Sequence, residues 1–154
     1  MKRAIWYLVL VLSLSLFLVS RVWAGELEDK LLQTAGSCNI NVMHDMLEKG
    51  ADVNASNKLQ KTALMIASEQ GCTSCVRLLL DKGANVNARD NLGGTALMMA
   101  AMHGREDIVR ALLDKGADVN VRETGFLQYT ALGYAKESEN KKVIEILKAA
   151  GAKE

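Results

Sequence analysis

From residue 27 onward, apolar side chains recur at helical spacing in short bursts, each closed by glycine. Leu27, Leu31, Leu32 and Ala35 share one face of a helix before Gly36-Ser37 interrupts it. Ile40, Val42, Met43, Met46 and Leu47 form a second amphipathic run. It stops at Lys49-Gly50, where glycine takes the left-handed conformation at little cost. Thr62 then opens a third run as an N-cap, with Ala63, Leu64, Ile66 and Ala67 on its apolar face and Gly71 at its end. Val76, Leu78, Leu79 and Leu80 lie in a fourth, closed by Lys82-Gly83. The plan returns with Thr95-Ala96-Leu97, Gly104, Ile108, Val109, Leu112 and Leu113, and once more after Thr130-Ala131-Leu132. This pattern predicts an all-α chain of paired short helices separated by polar turns.

The polar segments repeat too. Lys49 to Ala55 reads Lys-Gly-Ala-Asp-Val-Asn-Ala, and the phrase returns at Lys82 to Ala88 with Asn85 for Asp and at Lys115 to Val121 with Val121 for Ala. Gly50, Gly83 and Gly116 are spaced 33 and 33 residues apart, and Gly151 follows 35 later. A fixed period of this length marks stacked copies of one supersecondary unit. The units are residues 27–50, 51–83, 84–116 and 117–151. The first lacks a leading polar hairpin, as a terminal capping unit does. The fourth has two extra residues in its hairpin. It carries Gly133 inside a helix, at about 1 kcal/mol relative to alanine, and places Lys136 where the third unit has Ala101, which fits a unit with one side in water.

A turn, a Thr-x-Leu helix, a glycine, a Val/Leu-rich helix and Gly-Ala-Asp-Val-Asn at this period resemble the ankyrin repeat over residues 27–151. The resemblance implies a solenoid of about four helix-turn-helix repeats joined by β-hairpin-like turns. It also implies a non-catalytic protein-protein interaction module that meets its partner at the hairpin tips and the concave helix surface. Met102 and His103, at the end of a first helix, lie where such modules contact ligands. The family's Thr-Pro-Leu-His becomes Thr62-Ala63-Leu64-Met65, Thr95-Ala96-Leu97-Met98 and Thr130-Ala131-Leu132-Gly133. Losing the proline removes a preorganised helix start, and losing the histidine trades a polar link for apolar bulk. Stability then leans more on side-chain packing.

Charge and composition matter chiefly at the N-terminus. Lys2 and Arg3 precede an apolar run from Ala4 to Val19 broken by Ser13 and Ser15, and Val22-Trp23-Ala24 supplies small residues before a cleavage point. Residues 1–24 therefore read as a signal peptide and 25–154 as the mature repeat domain, periplasmic or secreted. The alternatives are an uncleaved membrane anchor over residues 4–20 and, less suited to a thin repeat stack, a buried helix. Exported bacterial ankyrin-repeat proteins are the resemblance that favours the periplasm. Taking Lys2, Arg3 and Arg21 from 19 Lys+Arg leaves 16 against 18 Asp+Glu, a balance of −2. No basic block survives, which argues against a nucleic-acid backbone as partner.

Candidate chemistry is sparse. Cys72-Thr73-Ser74-Cys75 is a Cys-x-x-Cys at a helix start, where the macrodipole favours a thiolate, so a thiol-redox protein is the alternative function. Helical neighbours three apart have Cβ atoms roughly 5–6 Å apart, so a Cys72–Cys75 bond would distort the first turn. Cys38 aligns with Gly71, and a bridge from it to Cys72 or Cys75 would clip the first two units together; free buried thiols are the other option. His44 and His103 are distant in sequence, and the second close pair of ligands that a zinc site needs is absent. No cofactor motif occurs. Three residues before each helix-opening threonine stand Leu59, Leu92 and Leu127, with Phe126 and Tyr129 beside the last. They either pack hairpin on hairpin or form an apolar row, rimmed by Lys58, Lys61 and Asn91, for a protein partner with Phe126 and Tyr129 as anchors.

Both tryptophans, Trp6 and Trp23, precede Gly25. Cleavage after Ala24 therefore predicts an exported protein with no tryptophan fluorescence and an intact mass that starts at Gly25. Retained tryptophan emission shows that the segment stays attached.

Overall fold

The computed structural model describes residues 25–124 and 128–153, so the expected signal segment 1–24 lies outside the described residues. Helix α1 covers residues 25–37. It is followed by α2 (Ile40–Glu48), α3 (Ala63–Gln70), α4 (Thr73–Asp81), α5 (Ala96–Met102), α6 (Glu106–Asp114), α7 (Ala131–Glu137) and α8 (Lys141–Ala149). Helices α3, α5 and α7 pack in sequence as one layer, and α2, α4, α6 and α8 pack in sequence as a second layer behind them. The result is the all-α repeat solenoid that the periodicity predicts. No described helix is long and apolar enough to cross a membrane. The turns leading into α3, α5 and α7 are hairpin-like, with an isolated antiparallel bridge between Ser56 and Thr62.

In the second to fourth units the first helix (α3, α5 and α7) begins at threonine because its hydroxyl accepts an otherwise unpaired backbone N–H. Thr62 Oγ1 accepts from Met65 N at 3.3 Å, Thr95 Oγ1 from Met98 N at 3.4 Å and Thr130 Oγ1 from Gly133 N at 3.1 Å. These caps start the helices without the family's proline. Where the family's histidine is missing, Met65 and Met98 are both 1% exposed, so the apolar bulk goes into the core. That core runs through the whole stack, from Leu31 and Met43 through Leu64, Leu79, Leu97 and Leu112 to Leu132 and Leu147. Ala101 is fully buried by the fourth unit, while Lys136 at the same position of α7 is exposed.

The repeated seven-residue phrase is explained by hydrogen bonds. Its glycine ends each second helix: Gly83 N donates to Leu80 O, and Ala84 N reaches back to Leu79 O at 2.9 Å, which together satisfy the last carbonyls. Its Asp or Asn then turns the chain, as Asp52 Oδ1 accepts from Asn54 N, Asn85 Oδ1 from Asn87 N and Asp118 Oδ1 from Asn120 N. Its last Asn reaches into the following unit. Asn54 Oδ1 accepts from Asn85 N at 2.7 Å, Asn87 Oδ1 from Asp118 N at 2.8 Å and Asn120 Oδ1 from Lys153 N at 2.8 Å. Asn87 Nδ2 also donates to Gly116 O at 3.2 Å.

The bend between the two helices of a unit needs a left-handed residue. Gly104 supplies it with φ 63° in the third unit, and the Asn140 side chain lies where a Cβ would be. The fourth unit uses Glu139 at φ 54° and the first uses Cys38 at φ 56°. A non-glycine residue there costs about 1–2 kcal/mol.

Two substitutions test these roles in urea denaturation. Asn87→Ala breaks the bonds to Asp118 and Gly116 and is expected to cost about 1 kcal/mol. Glu139→Gly relieves the left-handed backbone and is expected to stabilise the fourth unit by up to ~1 kcal/mol.

Candidate functional site

The hairpin turns place leucine at their tips and hold it there. Asn57 Oδ1 accepts from Leu59 N at 2.9 Å and Lys61 N at 3.0 Å, and Asp90 Oδ1 accepts from Leu92 N at 2.9 Å and Gly94 N at 2.8 Å. Neighbouring tips are then stitched through the leucine carbonyls. Leu59 O accepts from Asn91 N at 3.1 Å, and Leu92 O accepts from Thr124 N at 2.8 Å and Thr124 Oγ1 at 2.9 Å. The leucine side chains take no part in this stitching. Leu59 is 60% and Leu92 67% exposed, so the hairpins join through the leucine carbonyls while the leucine side chains face water. Phe126 and Leu127, proposed as the continuation of this row, lie outside the described residues.

A second row lies behind the tips, four residues after each capping threonine: Ile66, Met99 and Tyr134, all half-buried. Met99 and Tyr134 lean toward their own hairpins, whereas Ile66 Cγ2 lies 3.8 Å from where a Cβ on Gly36 of the first unit would stand. Met99 Cε comes within 3.1 Å of where a Cβ on Gly94 would stand, and Tyr134 donates its hydroxyl to Glu123 Oε2 at 2.7 Å. Lys61 pairs across the same gap with Glu69 at 3.0 Å. Repeat register was the available signal for this row. Counting forward from Thr62, Thr95 and Thr130 finds it, as counting backward finds the leucines.

Tyr129 differs from an outward anchor. Its ring packs edge-on against Tyr134, with centroids 5.2 Å apart and planes at 60°, and its hydroxyl lies 3.5 Å from Glu137 Oε2. Gly133 permits this, because a Cβ there would stand 3.0 Å from Tyr129 Cδ1. The glycine inside α7 thus makes room for an aromatic ring, beyond being a weak point of a terminal helix. Met102 is half-buried at the end of α5. His103 caps that helix, exposed, with Nδ1 3.0 Å from Met99 O.

The cysteines are arranged around the junction of the first two units. Cys38 and Cys72 form a disulfide with Cα atoms 5.3 Å apart, and Cys75 is free and buried. The Cys72-x-x-Cys75 motif is therefore not the bonded pair. Burial pushes the Cys75 thiol up despite a hydrogen bond from Ser74, the reverse of what a nucleophilic thiol needs. His44 sits on the outer side of α2, 4.0 Å from Glu48, whose carboxyl Lys82 holds below the usual range. Among the described residues no three His, Cys, Asp or Glu side chains converge as metal ligands. On the outer layer, a groove of about 390 Å³ is lined by charges of both signs, including Arg77, Asp81, Asp107, Arg110 and Asp114.

A sequence model of the family described as Ankyrin repeats (3 copies) matches residues 31–123. No curated protein matches the chain.

Burial first, then hydrogen bonding to Glu123 and the charges of Glu123 and Asp90, push the Tyr134 phenol up to about 12. The folded state thus favours the neutral phenol. Its contribution to stability is intact below an unfolded value of 10.0 and is lost as pH climbs through about 12. Spectrophotometric titration is expected to show a late phenol ionisation near pH 12 that Tyr134→Phe removes.

Proposed function

The chain belongs to the ankyrin-repeat family, and on that premise we propose that it binds a protein partner in the periplasm or outside the cell through its hairpin tips and the helix row behind them. Ankyrin repeats are generally protein-protein interaction modules. The observation that carries the proposal is the exposure of Leu59 and Leu92 on turns whose backbones are fixed at both ends. Apolar side chains held on a rigid edge bind with little ordering cost. Ile66, Met99 and Met102 extend the apolar surface inward, and His103 and Lys58 give it a polar rim.

The compartment rests on two supports. The sequence before Gly25 has the regions of an export signal, with a membrane anchor over residues 4–20 as the variant of this reading. The Cys38–Cys72 disulfide suits an oxidising environment. The role is binding without catalysis or cofactor, and the partner is a protein and not a nucleic acid.

Affinity capture from native envelope extract tests the reading with three baits: wild type, Leu92→Asp and Cys75→Ser. Wild type and Cys75→Ser are expected to recover the same protein in stoichiometric amount. Leu92→Asp is expected to weaken capture by about thirtyfold, the size of a central contact loss. Capture that survives Leu92→Asp removes the tips as the binding face. Loss with Cys75→Ser alone would turn attention to the thiols.

A further inference from the structure

From the second unit onward, successive units are joined by the same backbone-directed bonds: Asn54 to Asn85 and Asn87 to Asp118 at one edge, and Leu59 to Asn91 and Leu92 to Thr124 at the tips. The first unit has no hairpin of this kind among the described residues, and its junction is built differently. It is held by the Cys38–Cys72 disulfide, an exposed ion pair between Glu48 and Lys82, and apolar packing of Leu31, Ala35, Met43 and Met46 into the shared core. A covalent clip stands where the other junctions have hydrogen bonds.

Comparing equivalent positions shows what the first unit covers. Cys75, Ile108 and Val143 occupy one position in the second helices and are 0%, 1% and 0% exposed, whereas Val42 in the first unit is half-exposed. Likewise Ala63, Ala96 and Ala131 are buried, and Lys30 in the first unit is exposed. These positions are buried where a unit precedes them. Cys75 is thus roofed by the first unit.

We propose that the first unit is a redox-latched flap: reduction of Cys38–Cys72 frees residues 25–50 to open from α3 and α4 and bares Cys75. The reductant is a dithiol. One of its thiolates attacks a sulfur of the bridge and displaces the other as thiolate. Its second thiol then resolves the mixed disulfide. Two electrons and two protons pass to Cys38 and Cys72, and the reductant leaves as its own disulfide. With the clip gone, this junction keeps its packing, the solvent-exposed Glu48–Lys82 pair and a weak contact of the Cys72 sulfur with Ala35 O at 3.6 Å, and such exposed pairs and thiol contacts contribute little. The units from the second onward keep their bonds and stay folded.

The test is hydrogen exchange with mass spectrometry on the full chain, beside iodoacetamide labelling of Cys75, in oxidised and dithiothreitol-reduced protein. The Cys38→Ser/Cys72→Ser variant repeats the reduced state without reductant. On reduction, Cys75 is expected to label faster by roughly a hundredfold, the scale set by removing a crosslink over a loop of this order. Amides of α1 and α2 should lose protection while those of α5 to α8 keep theirs. Unchanged Cys75 labelling with α1 and α2 still protected overturns the latch. Equal loss of protection throughout α1 to α8 also overturns it, because the disulfide then holds the whole fold and not one flap.

Discussion

The asparagine at the end of each repeated phrase is the contact on which the stack depends. A repeat solenoid has no long-range sheet and no closing contact, so each unit must find its partners in its neighbours. Asn54 and Asn87 provide this by turning a side-chain amide into a backbone partner for the next unit, and Asn120 does the same for the C-terminal segment. The bonds are exposed and individually modest. Their value lies in register. They set where the next glycine-ended helix departs, and the Thr62, Thr95 and Thr130 caps then start the following helix at a fixed distance. Apolar packing supplies most of the stability, but apolar surfaces can slide, and directional bonds at the edge oppose that.

The same logic accounts for the unequal ends. The fourth unit keeps its asparagine link to the third and replaces a buried alanine by the exposed Lys136, so its outer side is finished in water. The first unit, without a hairpin among the described residues, is finished by a disulfide. Cys38 serves two ends there. It holds the left-handed bend that Gly71 and Gly104 hold elsewhere, and it places its sulfur against the start of α4. A glycine would make the bend at lower cost but could not make the bond.

Much of this was legible from spacing. The glycine period located the units, and the threonines and Lys-Gly pairs located helix ends, because these signals act within a few residues of chain. What crossed between units was harder to read. That Cys38 would meet Cys72 and not Cys75 depends on how α1 sits over α4, which spacing left open. The leucine row was visible in sequence, yet whether it packed or projected depended on Asn57 and Asp90 tying the turns by their side chains. Tyr129 read as an outward anchor because hairpin tips usually face solvent. Gly133, which looked like a local weakness, is what lets that ring fold back onto α7.

These inward turns sharpen the reading of the surface. Tyr129 and Tyr134 spend their rings on each other and their hydroxyls on Glu137 and Glu123, so these two aromatic side chains are already occupied. The second and third units differ. Their leucines are exposed, their turns are fixed, and their inner row is Ile66 and Met99, which carry no polar atoms to satisfy. Apolar area that the fold holds rigid and leaves uncovered is where association gains most from excluding water and loses least to ordering. On the proposed binding face, the rigid uncovered apolar area therefore lies between Leu59 and Leu92.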